Sequence, residues 1–156
     1  MRITAKVDYA VRATVELAAR RSEGGDPPPM TREELARSQS IPPRFLEAIL
    51  AELRRAGIVA SQRGSEGGYR LARPAEQVSV ADVIRAVEGP LADVHGVPPE
   101  AASYPGTAAP LQEVWVATRV ALREVLEATT MADIASGALP AAVRDLAGRP
   151  DGWERR

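Results

Sequence analysis

Apolar residues recur along this chain at helical spacing, in segments separated by glycine- and proline-rich breaks. Ile3, Val7, Ala10, Thr14 and Leu17 follow one another at steps of three and four, and Val11 and Ala18 widen the stripe. The first segment is therefore expected as a helix with one buried face. Residues 22–29 (SEGGDPPP) break it as a loop. A second helix opens at Thr31, with Glu34 three residues on, a spacing that satisfies two otherwise orphaned amides. It is short, anchored by Leu35 and Ala36, and Ser38-Gln39-Ser40 reads as a turn. The third helix is expected from Pro43, since the second of two prolines pushes the first away from helical geometry. Leu46, Ile49, Leu50 and Leu53 form its buried stripe; Arg44, Ala48, Ala51 and Arg55 lie opposite, with Glu47 beside them.

The pattern then changes from period 3.6 to period 2. In residues 56–71 (AGIVASQRGSEGGYRL), Gly57 suits a helix end and Ile58-Val59-Ala60-Ser61 a strand. Arg63-Gly64-Ser65-Glu66-Gly67-Gly68 suits a hairpin loop, and Tyr69-Arg70-Leu71 a returning strand. Taken alone, this is either a surface hairpin or the wing of a winged helix. Its place after a short helix, a turn and a small-faced second helix favours the wing, and puts Arg44 and Glu47 where helix-turn-helix proteins reach base edges. Downstream, Arg73-Pro74 closes the strand, and Ser79 with Asp82 caps a helix over 80–87 with Val83, Ile84 and Val87 as its apolar side. Gly89-Pro90 ends it. Residues 91–110 hold four prolines and two glycines without helical period and read as a loop or linker.

A long helix is expected over 111–128. Leu111, Val114, Trp115, Thr118, Ala121, Leu122 and Val125 share one stripe, while Val116 and Val120 lie off it. One apolar face suits packing within the chain; the other suits the same helix of a second subunit. The alternative is a helix buried on both sides within one chain. Thr130 and Asp133 cap a further short helix over 131–136, and the segment beyond reads as a tail, loose past Leu146.

Composition sharpens this. The 156 residues have 45% hydrophobic but only 4% aromatic content, so the core is aliphatic. Net charge is −1, unevenly spread. Residues 1–74 carry 13 Lys/Arg against 9 Asp/Glu, and residues 75–156 carry 7 against 12, so the front half is basic and the rear acidic. With no cysteine there is no disulfide, thiolate nucleophile or cysteine-ligated metal. His95 is the only histidine and lies in the Pro/Gly loop, so neither a Ser–His nucleophile pair nor a histidine-rich metal site is expected. The Gly64–Gly68 run lacks the lysine and following helix of a phosphate-binding loop. No enzymatic activity and no cofactor are expected. No apolar run approaches the ~20 residues of a membrane span, and the amphipathic N-terminus is unlike a signal peptide, so the expected location is the cytoplasm.

These residues also carry a resemblance. Lys6-Val7-Asp8-Tyr9-Ala10, residues 41–50 (IPPRFLEAIL), residues 53–71 with their RG-x-x-GGY-x-L wing, residues 79–89 (SVADVIRAVEG) and residues 130–134 (TMADI) resemble the Rrf-two family of bacterial winged-helix regulators. The resemblance implies a mainly α fold with a two-stranded β wing: a winged helix-turn-helix domain (1–74), a connecting helix and regulatory loop (75–110), a dimerisation helix with a short packing helix (111–136) and a tail (137–156). It implies a homodimer on a partly palindromic operator in double-stranded DNA, with recognition helix 43–56 in the major groove and wing 58–71 beside it; a repressor is expected, since occluding a promoter needs only binding. Arg44 and Glu47 would read bases, Arg63 would enter or skirt the minor groove, and Gly64, Gly67 and Gly68 would keep the wing narrow. Arg54, Arg55 and Ser61 would contact phosphates, with Lys6 and Tyr9 weaker candidates of the same kind. Leu111, Val114, Trp115, Thr118, Leu122 and Val125 would form the dimer seam. The sequence departs from the family at Pro43-Arg44-Phe45, so the operator is its own. It also lacks the three loop cysteines of cluster-binding members, which rules out an iron–sulfur cluster held in that way. The signal is open between a small molecule, a partner protein and none. The rival reading is a winged-helix module for protein contacts with a vestigial DNA face.

Overall fold

The structure, a computed structural model, describes residues 2–20 and 27–154. Its first helix, α1 (Ala5–Ala19), begins where the Thr4 side chain accepts a hydrogen bond from the Val7 amide at 3.2 Å. That cap corrects one expectation: Ile3 precedes the helix and is 67% exposed. Val7, Ala10, Ala13, Thr14 and Leu17 form the buried face, and the Thr14 hydroxyl is satisfied by the Ala10 carbonyl. Of the expected break at 22–29, residues 22–26 lie outside the described residues, and 27–29 are irregular.

Helix α2 (Arg32–Ser38) carries the expected capping box, with the turn following at 39–40. The Thr31 amide and hydroxyl donate to the Glu34 carboxylate and hold it below the usual carboxylate range. Helix α3 (Pro43–Arg55) starts at the second proline and buries Leu46, Ile49, Leu50 and Leu53. Gly57, at φ +69°, terminates it in the left-handed conformation that a Cβ disfavours. Strands β1 (Val59–Gln62) and β2 (Gly68–Leu71) pair antiparallel, from Val59 with Leu71 to Gln62 with Gly68. The ladder sits one residue later than the β-prone run, because the Ile58 amide is still bonded to the Leu53 carbonyl at the helix end. The ribbon is anchored at its side. Met30 and Tyr69 exchange both backbone hydrogen bonds, at 2.8 and 2.9 Å, which ties the wing to the chain entering α2.

After an unanticipated 3-10 turn (Ala75–Gln77), α4 (Val80–Glu88) and α6 (Met131–Ser136) are each opened by a capping box. Their caps, Ser79 and Thr130, form an antiparallel bridge in which the Val80 amide bonds the Thr129 carbonyl and the Met131 amide bonds the Val78 carbonyl. This brings the fully buried Met131 side chain into the same core as Val7, Leu17, Leu53 and Val83. Both α4 and α6 pack on α1, so the core of the winged helix is completed by residues from beyond position 74.

Residues 91–110 are more structured than the loop or linker expected. They hold two 3-10 turns (Pro99–Ala101 and Gly106–Ala108) and bury Leu91, Pro99 and Ala102. Helix α5 (Leu111–Leu126) follows, two residues shorter than expected. The segment read as a tail contains a further helix, α7 (Ala141–Ala147), and the Trp153 indole donates to the Ala147 carbonyl at 2.6 Å.

Candidate nucleic-acid interface

The outward side of α3 presents Arg44, Phe45, Glu47, Ala48, Ala51, Arg54 and Arg55, all exposed. At its C-terminal half, α3 meets the wing: the Arg54 guanidinium donates to the Ser61 hydroxyl at 3.2 Å. Arg32, Glu33, Arg54, Ser61, Arg63 and Gly68 line one open groove of about 380 Å3 between the start of α2, α3 and the ribbon. Three guanidinium groups against a single carboxylate make its wall cationic. Arg63 and Gly64 are exposed at the start of the wing loop, where Gly64 takes φ +112°, while Gly67 and Gly68 are half-buried.

Two residues that sequence reasoning did not single out shape this surface. Arg32 pairs with Glu33 at 3.0 Å and reaches across to Glu47 on α3 at 3.3 Å, so one expected base reader is steered from the neighbouring helix. The hydrogen bond and charge of Glu33 raise the Arg32 pKa further above its ordinary value. Arg12 pairs with Asp8 at 3.1 Å and lies 5.6 Å from the centre of the Tyr9 ring, which meets exposed Phe45 edge-on at 6.0 Å. Tyr9 thus supports the start of α3 through packing.

Lys6 is committed inside the fold. Its ammonium donates to Glu52 of α3 at 3.0 Å and to the Val87 carbonyl at the end of α4 at 2.6 Å. It joins three helices, and among the described residues only Arg55, at 4.0 Å, also pairs with Glu52. Lys6→Met is therefore expected to cost about 1–2 kcal/mol in urea unfolding, through a lost charged hydrogen bond and a half-buried Glu52 left poorly paired. Unchanged stability would show that water replaces both contacts freely.

Helix α5 has no buried residue along its length. Its less exposed side carries Gln112, Val116 and Arg119, and near its end Leu126 packs on the core. The stripe named for a dimer seam is split: Val114, Trp115 and Thr118 are exposed, whereas Leu111, Leu122 and Val125 are intermediate. An apolar side of α5 is thus left without cover in the single chain.

The Rrf2 family model, described as an iron-dependent transcriptional regulator, matches residues 3–137. The chain belongs to the Rrf2 family. An HTH-type transcriptional regulator candidate of Mycobacterium tuberculosis (strain ATCC 25618 / H37Rv) is 48% identical over 147 residues, covering 94% of this chain and 89% of the relative. The HTH-type transcriptional regulator CymR of Bacillus subtilis (strain 168) is 33% identical over 136 residues, covering 87% and 91%. Among solved structures, that of B. subtilis CymR, described as a global cysteine regulator, superposes with a TM-score of 0.70 at 31% identity, over 88% of this chain and 98% of CymR. That of T. potens IscR gives 0.69 at 31% identity, over 88% of each chain. The protein is a transcriptional regulator of winged-helix architecture, as its motifs implied.

Iron in the family description has no matching donor set here. The chain has no cysteine and one histidine, and among the described residues no three His, Asp or Glu side chains gather as metal ligands. His95 sits in a turn at φ +54°, beside an Asp93 carboxylate that accepts from the Gly96 amide. These residues do not fit an iron–sulfur cluster. Among the described residues, no helix is long and apolar enough to cross a membrane.

Proposed function

We propose that the protein is a homodimeric repressor that binds a pseudo-palindromic operator in double-stranded DNA, without an iron–sulfur cluster. The supporting observation is the groove that unites Arg32, Arg54, Ser61 and Arg63 beside the exposed side of α3. Arg44 and Glu47 reach base edges; guanidinium suits the acceptors of guanine, and a carboxylate can accept from cytosine. Arg54, Ser61 and Arg55 hold the phosphate backbone, and Arg63 is carried by the wing toward the minor groove. Repression follows from occlusion, which needs binding alone. The outward stripe of α5, from Val114 to Thr118, pairs two copies so that their recognition helices address successive major grooves.

The test is binding of the full chain to fragments of its own upstream region across a salt series. Affinity is expected to fall steeply with salt, and Arg63→Ala to reduce the logarithmic slope by about one if it contacts a phosphate. Arg44→Ala is expected to cost about 1–3 kcal/mol and to relax preference at one base position. Uniform weakening over all sequences would make Arg44 a backbone contact instead, and no shift of any fragment at low salt would sink the reading.

A further inference from the structure

The partly structured loop before α5 and the inner side of α5 enclose a second cavity, of about 500 Å3. Arg85 of α4 and Arg119 and Arg123 of α5 line it together with Asp93 and Glu100. Arg119 is the most enclosed of the three. Its side chain is 16% exposed, its Nε is buried without a hydrogen-bond partner, and its terminal nitrogen is held by Glu100. Arg85 and Arg123 converge on one carboxylate, Glu127, which lies 3.6 Å from the Arg123 Nε. Asp82 is a further 4.0 Å neighbour of Arg85. Each guanidinium has five N–H donors in a planar fork, and one of them, the Arg119 Nε, is buried here with no acceptor.

Glu100 is the movable part of the arrangement. It comes from the loop and its side chain is largely exposed, so its carboxylate can return to water when another anion takes over the enclosed Arg119 guanidinium. An incoming anion with several oxygens gains more than Glu100 does, because it can engage two or three guanidinium groups at once. We propose that this cavity binds a small multivalent anion of the carboxylate or phosphate class, which takes the place of Glu100 on Arg119 and bridges to Arg85 and Arg123. The site spans the end of α4, the loop and α5, the elements that join the winged helix to the unpaired stripe. An effect of the anion on operator binding rests on the regulator reading above; anion binding itself does not.

Isothermal titration of the full chain, without DNA, with citrate and separately with inorganic phosphate tests this. Saturable binding of one anion per chain is expected, and the stronger of the two probes distinguishes the carboxylate from the phosphate source. Arg119→Gln is expected to weaken it by at least about tenfold, and Glu100→Gln to tighten it by removing the competitor. Arg123→Gln, more exposed and less able to disturb folding, is expected to weaken it by roughly threefold or more and decides the matter if Arg119→Gln does not fold. No saturable binding of either anion, or unchanged affinity in a folded Arg119 or Arg123 variant, overturns the proposal. A failure of DNA binding measured in parallel would bear on the regulator reading and leave this result standing.

Discussion

Gly68→Ala is expected to destabilise the protein by about 3 kcal/mol and to detach the wing from the body of the domain. A Cβ at this position would stand 2.5 Å from the Met30 carbonyl oxygen and 2.7 Å from its carbon, distances that a native Cβ does not adopt. The obstacle is backbone, so no side-chain rotation relieves it. Met30 is also the residue that exchanges two hydrogen bonds with Tyr69, so moving it aside breaks the anchor of the ribbon. Urea unfolding of Gly68→Ala beside Ser65→Ala separates the close approach from general loop effects. Ser65 is exposed, and its loss is expected to stay within about 0.5 kcal/mol. A Gly68→Ala loss equally small would show that the segment before α2 yields without cost.

In the proposed dimer, Val114→Glu is expected to convert dimer to monomer, raising the dissociation constant by at least about a hundredfold. Val114 is 53% exposed in the single chain, so a carboxylate there costs the isolated fold little. At the centre of a subunit interface, the same carboxylate is desolvated without a partner. Sedimentation across a concentration series reads the difference, with circular dichroism verifying that the monomer stays folded. Val120→Glu is the matched control, since Val120 is similarly exposed but lies off the stripe. Equal dissociation by both would place the contact around the whole helix, and an unchanged Val114→Glu dimer would remove this side of α5 from the interface.

What could be read in the sequence was mostly local. Thr31 with Glu34, Ser79 with Asp82 and Thr130 with Asp133 mark helix starts because each box closes within four residues. Pro43 starts α3 by its fixed φ, and Gly57 ends it by its freedom to take the left-handed conformation. Ile3 fits a helical period but not the helix, because period matching ignores the cap and Thr4 captures the first turn one residue later. The residues read least well act over distance. Lys6 looks like any solvated lysine until Glu52 and Val87 arrive from 46 and 81 residues away. Arg32 gives no hint that it steers Glu47, since only the packing of α2 on α3 brings them together. Loop 91–110 is held by Leu91, Pro99 and Ala102, too irregularly spaced to show a period.

The pairing of α1 with both α4 and α6 also sets the order in which the chain can fold. Helix α1 spans Ala5–Ala19, and α6, one of its two largest packing partners, spans Met131–Ser136. During synthesis the first helix leaves the ribosome on the order of ten seconds before that partner exists. Helices α2 and α3 and strand β2 can cover part of its stripe early, and the rest waits for α4 and α6. Two alanines and a threonine sit among Val7 and Leu17, so the nascent helix exposes little adhesive surface until α6 returns to cover it.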